Sequence, residues 1–176
     1  MPILTELVPE FDLIENVELR DRCIEVWMEA IDLGGWTIDD LDEIPFTLLI
    51  DECPASFLEH VRAVTLAAIA VSETANKIFG ERFPINRDYL IAGCLLHDIG
   101  KLLEYTEVDG VYVKSEYGKL LRHPFSGVAL AAQYGIPDEV LHMIATHAKE
   151  GDLGHRTPEA TILYHCDFAM FEPFKR

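Results

Sequence analysis

The stretch LLHDIGKLLEY, Leu95 to Tyr105, sets an imidazole and a carboxylate side by side in an apolar run and follows them with glycine and lysine. Burying those two groups without partners is costly. A chain that folds this segment into its core must therefore surround His97 and Asp98 with a hydrogen-bond network, an ion pair or a metal ion. The fold must bring distant residues to the pair, and no other feature of the sequence constrains it as strongly.

The chain has 176 residues, 49% of them hydrophobic and 26% charged, which suits one globular domain with a sizeable core. The cysteines Cys23, Cys53, Cys94 and Cys166 are widely spaced and form no Cys-x-x-Cys pair. They read as reduced thiols, not as a disulfide framework or a thiolate zinc site. The longest apolar runs, residues 66–71 and 90–96, fall far short of a membrane span. With no basic and apolar leader at the start, a cytoplasmic protein without membrane contact is expected.

The net charge of −17 is uneven: residues 1–59 carry 16 acids against only Arg20 and Arg22. A phosphate backbone needs a basic footprint, so no nucleic-acid partner is expected. Lys101, Lys114, Lys119, Arg122, Lys149 and Arg156 are spread among the histidines instead, where a small anionic substrate could approach.

Residues 1–16, with Pro2 and Pro9, read as an irregular arm. Asn16 can cap a helix that Gly34-Gly35 stops, and a turn-rich segment follows. A long helix is predicted from about Ala55 to Phe79, apolar almost all round between Val61 and Val71 and so suited to the centre of a bundle. The next helix breaks near Gly100, and Asp109-Gly110 between β-prone residues predicts a small hairpin. Three further helices are expected near 123–134, 137–148 and 157–171. The class is all-α with one hairpin, divided into an acidic N-terminal extension (1–54) and a helical metal-binding unit (55–176) that form one compact whole. The apolar faces of the extension are expected to pack over the bundle, where they would close a pocket or meet a second subunit; IPFTLL, Ile44 to Leu49, is near His60 in sequence and would set substrate size if it lies over the site.

Seven histidines occur, and six fall in or beside predicted helices. Singly, each reads as a satisfied core or surface imidazole. Their order with the aspartates, His60, His97-Asp98, His123, His147 and Asp167, resembles the HD superfamily of metal-dependent phosphohydrolases over about residues 55–170. The HDIGK run is the most specific element of the likeness.

The resemblance implies that His60, His97, Asp98 and Asp167 hold one divalent ion, with Asp98 bridging to a second ion held by His123 and His147. Imidazole and carboxylate donors suit Mn, Fe, Co, Ni or Zn. Neighbouring residues on a helix diverge by about 100°, so His97 and Asp98 can converge only where the helix ends. Lys101, where the family places a lysine, would orient the catalytic Asp98 or bind a substrate oxyanion. Arg122 and Lys149, beside His123 and His147, would grip an anion. His142, His155 and His165 read as structural or surface residues.

The implied activity is hydrolysis of a phosphoester of a small metabolite or nucleotide by metal-activated water. Cleavage of cyclic dinucleotides is not expected, because no Gly-Tyr-Pro signature or paired histidines follow the HD motif. Two alternatives share the donor set: hydrolysis of a small non-phosphate ring, amide or diketone, and di-iron oxygenation. A non-catalytic module whose acidic start binds a basic partner is a further possibility.

Overall fold

The computed structural model describes residues 3–175. The chain enters through a single turn, α1 (Leu4–Leu7), and a 3-10 turn over Pro9–Leu13, which bury Leu4, Val8, Phe11 and Ile14. The expected irregular arm is thus ordered wherever it is described, while Pro2 lies outside the described residues. Helix α2 (Val17–Gly34) starts at Asn16, whose side chain accepts from the Leu19 amide at 3.1 Å.

Helix α3 (Phe57–Phe79) opens with a reciprocal cap between Ser56 and Glu59. Leu66 and Val71 are exposed on it, so α3 lies against the bundle with one face only. The central place belongs to α4 (Arg87–Leu96), in which every residue from Leu90 to Leu96 is buried. A run of small and apolar residues does not by itself enclose a helix, since scattered apolar side chains are common at surfaces.

After α4 the backbone turns at residues 97–100, with the Lys101 amide donating to the Asp98 carbonyl at 2.8 Å. Helix α5 (Lys101–Glu104) leads into strand β1 (Tyr105–Val108), which pairs antiparallel with β2 (Val111–Lys114). Asp109 and Gly110 both take positive φ, 52° and 80°, as the tight two-residue turn requires. A short helix α6 (Glu116–Leu120), not anticipated from the sequence, is capped by Ser115. Helices α7 (His123–Gln133), α8 (Asp138–Thr146) and α9 (Pro158–Phe171) complete the all-α bundle with its single hairpin.

One apolar cluster runs from Leu4 and Phe11 through Trp27 to Leu95 and Ile144, so the acidic N-terminal part buries its apolar side in the core of the bundle. Trp27 Nε1 donates to the Leu95 carbonyl at 2.9 Å and Trp36 Nε1 to that of Leu102 at 2.7 Å. These bonds clamp the N-terminal part onto the segment that carries His97 and Asp98. A second cluster, including Val64, Leu90, Met143 and Leu163, joins α3, α4, α8 and α9. Among the described residues, no helix is long and apolar enough to cross a membrane.

Candidate metal centre

The turn after α4 fits closely against the start of α7. A Cβ at Gly100 would collide with the His123 carbonyl and the Ser126 hydroxyl. Glycine there lets His123 approach Asp98. Oδ2 of Asp98 lies 3.5 Å from His60 Nε2 and 3.3 Å from His97 Nε2. Its Oδ1 lies 3.3 Å from His123 Nε2 and 3.5 Å from His147 Nε2. Asp167 Oδ1 is 3.1 Å from His60 Nε2 and 4.0 Å from His97 Nε2. The six side chains singled out in the sequence therefore meet, in two groups: His60, His97 and Asp167, and Asp98, His123 and His147.

The outer nitrogens of three of these rings have partners that fix their protons. Nδ1–H of His97 donates to the Cys94 carbonyl at 2.6 Å, and that of His147 to the Ile144 carbonyl at 2.7 Å. Nδ1–H of His123 donates to Glu104 Oε2 at 2.8 Å. These bonds assign the lone pair to Nε2 in each neutral ring.

Nε2 of His97 is buried and makes no hydrogen bond, although Asp98 Oδ2 lies 3.3 Å away. Nε2 of His123 and His147 face one another at 3.2 Å, lone pair to lone pair. Bare buried acceptors and opposed lone pairs are unfavourable until a positive centre lies among them. A divalent cation with nitrogen and oxygen donors fits that requirement.

The electrostatics point the same way. Burial lowers the pKa of His60, and it takes His123 down to about 4 despite Glu104 and Asp98 nearby. At His97 burial is outweighed by Asp98 and Asp167, so its pKa lies above the ordinary value: the carboxylates attract positive charge to this spot. At Asp98 burial is outweighed by Lys101 and His97, which hold the carboxyl well below its usual range. Asp167 is likewise lowered, burial being offset chiefly by the hydrogen bond to His60.

Lys101 Nζ donates to Asp98 Oδ2 at 2.5 Å and to the Phe46 carbonyl at 2.6 Å. Burial would lower the pKa of Lys101, but Asp98 outweighs it and keeps the side chain an ammonium.

The site floors a cavity of about 330 Å³ whose walls include Lys101, Lys114, Arg122, Lys149 and Lys175. Of these cations, Lys101 pairs with Asp98, and Lys114 and Arg122 pair with Glu104. Phe46, Leu48, Leu49, Phe168 and Phe171 supply apolar wall, and the Phe46 ring stacks on His60 at 4.5 Å and 17°.

One residue that supports the site was not singled out from the sequence. Glu104, 1% exposed, holds His123. Its signal was a lone carboxylate in the apolar LLEY run, the same oddity that marks His97-Asp98. Phe46, with Leu48 and Leu49, lies in the IPFTLL stretch that its nearness in sequence to His60 placed over the site, and the three line the cavity. His142, His155 and His165 lie outside both groups; His142 and His155 stack on each other at 6.2 Å. The Cys166 thiol packs in the second apolar cluster, where burial raises its pKa.

Comparison with known proteins agrees with this geometry. The family model described as HD domain matches residues 57–168. The chain belongs to the HD-domain family. It is 32% identical over 180 residues to a dihydroneopterin 2′,3′-cyclic phosphate phosphodiesterase of Methanocaldococcus jannaschii, a match covering 94% of this chain and 68% of that protein. It is 30% identical over 122 residues to a 3′-5′ exoribonuclease YhaM of Geobacillus sp., covering 62% of this chain and 37% of that protein. A second 3′-5′ exoribonuclease YhaM, of Oceanobacillus iheyensis, is 33% identical over 58% of this chain and 35% of its own length. No solved structure matches at comparable significance. With this membership and these relatives, the HD-domain chain is a metal-dependent phosphohydrolase.

Proposed function

We propose that this HD-domain protein hydrolyses a phosphodiester of a small metabolite, foremost a cyclic phosphate, at a dinuclear centre. His60, His97, Asp98 and Asp167 would hold one divalent ion, and Asp98, His123 and His147 the other. The observation that carries this reading is the division of the Asp98 carboxylate, one oxygen toward each histidine pair. The M. jannaschii relative, named for a cyclic phosphodiester, supports the substrate class. Mn, Fe, Co, Ni and Zn all suit the donors.

Bound ions supply Lewis acidity, bringing the pKa of water toward neutrality and polarising a phosphoryl oxygen. The protein's own groups do the rest. Lys101 keeps its proton and pins Asp98 Oδ2, so that the carboxylate presents both oxygens in fixed directions. Arg122 and Lys149, on the cavity wall, take the phosphate oxygens. Phe46 covers His60 and keeps water off that side of the centre. Leu48, Leu49, Phe168 and Phe171 accommodate the organic body of a small substrate.

We further propose that residues 1–54 act as an extension folded onto the 55–176 unit, on the strength of their shared apolar core. Cysteines that all remain free are in keeping with a reducing, cytoplasmic setting.

The exoribonuclease relatives favour a second reading, removal of nucleotides from an RNA 3′ end. The 16 acids in residues 1–59 disfavour a long polyanion, and we place the small cyclic phosphate first. The test is hydrolysis of nucleoside 2′,3′-cyclic phosphates and of a short RNA by Mn²⁺-loaded protein. Conversion of the cyclic phosphate to monoester, lost in Asp98→Ala, is expected. Faster shortening of the RNA would favour the second reading, and inertness toward both would end the first.

A further inference from the structure

We infer that Glu104 is the positioning residue that makes His123 a metal ligand, so that binding of the second ion depends on a carboxylate that touches neither ion. This rests on the dinuclear reading above.

The reason lies in where the histidines sit on their helices. His97 and His147 follow the last residues of α4 and α8. The final carbonyls of a helix lack partners within it, and each ring takes the one three residues back, Cys94 or Ile144. The helix end thus sets the tautomer at no further cost.

His123 opens α7, and an opening turn leaves N–H groups unpaired, not carbonyls. Nothing in its own helix can accept the Nδ1 proton. Glu104 meets both needs with one oxygen: Oε2 accepts from the His123 amide at 2.8 Å and from His123 Nδ1 at 2.8 Å.

A carboxylate 1% exposed needs compensation, and the other oxygen receives it. Oε1 accepts from Arg122 Nη1 at 3.0 Å and pairs with Lys114 Nζ at 2.9 Å. Lys114 ends β2, so the hairpin serves to bring a cation back to the start of the segment it left. Arg122 also donates to Glu150 at 3.2 Å, in the turn just beyond His147, which ties the surroundings of the two histidines together. Every acceptor direction of Glu104 is thereby spent on holding His123 and the cations behind it.

A carboxylate behind a ligating imidazole fixes its ring and raises its basicity, and losing one lowers metal affinity by about 10–100-fold. The test is calorimetric titration of metal-free protein with Mn²⁺, together with ¹⁵N-resolved imidazole spectra of the metal-free wild type at neutral pH. Wild type should take two ions. In Glu104→Gln, which keeps the volume and one acceptor but not the charge, one ion should weaken by about 10–100-fold while the other keeps its affinity. The spectra, which need no variant to fold, should show His123 protonated at Nδ1 and bare at Nε2.

Two ions of unchanged affinity in the variant, equal weakening of both, or a wild-type His123 protonated at Nε2 would each overturn the role of Glu104. A wild type that takes a single ion would instead overturn the dinuclear reading on which it stands.

Discussion

The two halves of the centre are built on different principles. His60 and Asp167 come from within the long helices α3 and α9, and packing of the bundle holds them. Asp98, His123 and His147 all come from helix ends and the turn between α4 and α5. There, individual hydrogen bonds to Ile144, Glu104 and Lys101 do the positioning, as the bond to Cys94 does for His97 of the first group. Helix interiors give a ligand a rigid direction through many apolar contacts, whereas helix ends supply unpaired backbone groups that orient imidazoles one bond at a time. The first half should therefore respond to cavities and the second to lost hydrogen bonds and to pH.

The largest effect should come from the residue shared by both halves. Asp98→Ala removes the common carboxylate and is expected to lower kcat/KM for phosphodiester hydrolysis by about 10³-fold or more, the equivalent of several kcal/mol of charge stabilisation. A variant within tenfold of wild type would show that the halves act independently.

On the packed side, Phe46→Ala empties a buried position stacked on His60 and should cost about 3–5 kcal/mol in denaturant unfolding. It should weaken the His60 side of the centre while leaving the His123 tautomer as it is.

On the hydrogen-bonded side the distinguishing variable is acidity. The ring of His123 is held near pKa 4 in the fold, below the ordinary 6.5. The unfolded chain binds that proton first, so the stability it contributes is present above pH 6.5 and is lost as pH falls toward 4. Burial would raise the Glu104 carboxyl, but its bonds to His123 and Lys114 bring it down to about 2 from 4.5, so its contribution is lost between those values. His97, held above its usual value, works in the opposite sense and contributes most below 6.5. Metal-free protein should thus lose stability on acidification below about pH 6.5, and Glu104→Gln should make the loss below 4.5 smaller, with the lowered carboxyls of Asp98 and Asp167 still contributing theirs, as urea midpoints across pH will report.

The smallest effect belongs to the rim. Lys149→Ala removes one exposed cation and should raise KM by about fivefold with kcat little changed, as befits a contact worth about 1 kcal/mol.

Much of this was legible in the sequence because polar residues in apolar surroundings are costly and conspicuous. His97-Asp98 in its apolar run, the spacing of the other histidines and the Asp109-Gly110 turn all announced themselves. What escaped depends on contacts between distant segments. Nearness in sequence to His60 suggested that IPFTLL covers the site, but the stack of the Phe46 ring on His60 and the bond from Lys101 to the Phe46 carbonyl follow from no local pattern.

The N-terminal arm was misread because Pro9 interrupts it. Leu4, Val8 and Phe11 keep a helical spacing through the break and are buried in the core. The apolar stretch of α3 suggested a central helix, yet chain order alone could not show that α4 would take that place. Glu104 carried the right signature but pointed to a partner 19 residues away.

The central claim is that one carboxylate is shared by two cations. Anomalous diffraction from Mn²⁺-soaked crystals at the manganese edge tests it directly. Two peaks about 3.5–4 Å apart, one beside each oxygen of Asp98, are predicted. A single peak confined to one histidine pair, or manganese seated elsewhere with Asp98 unengaged, would contradict it.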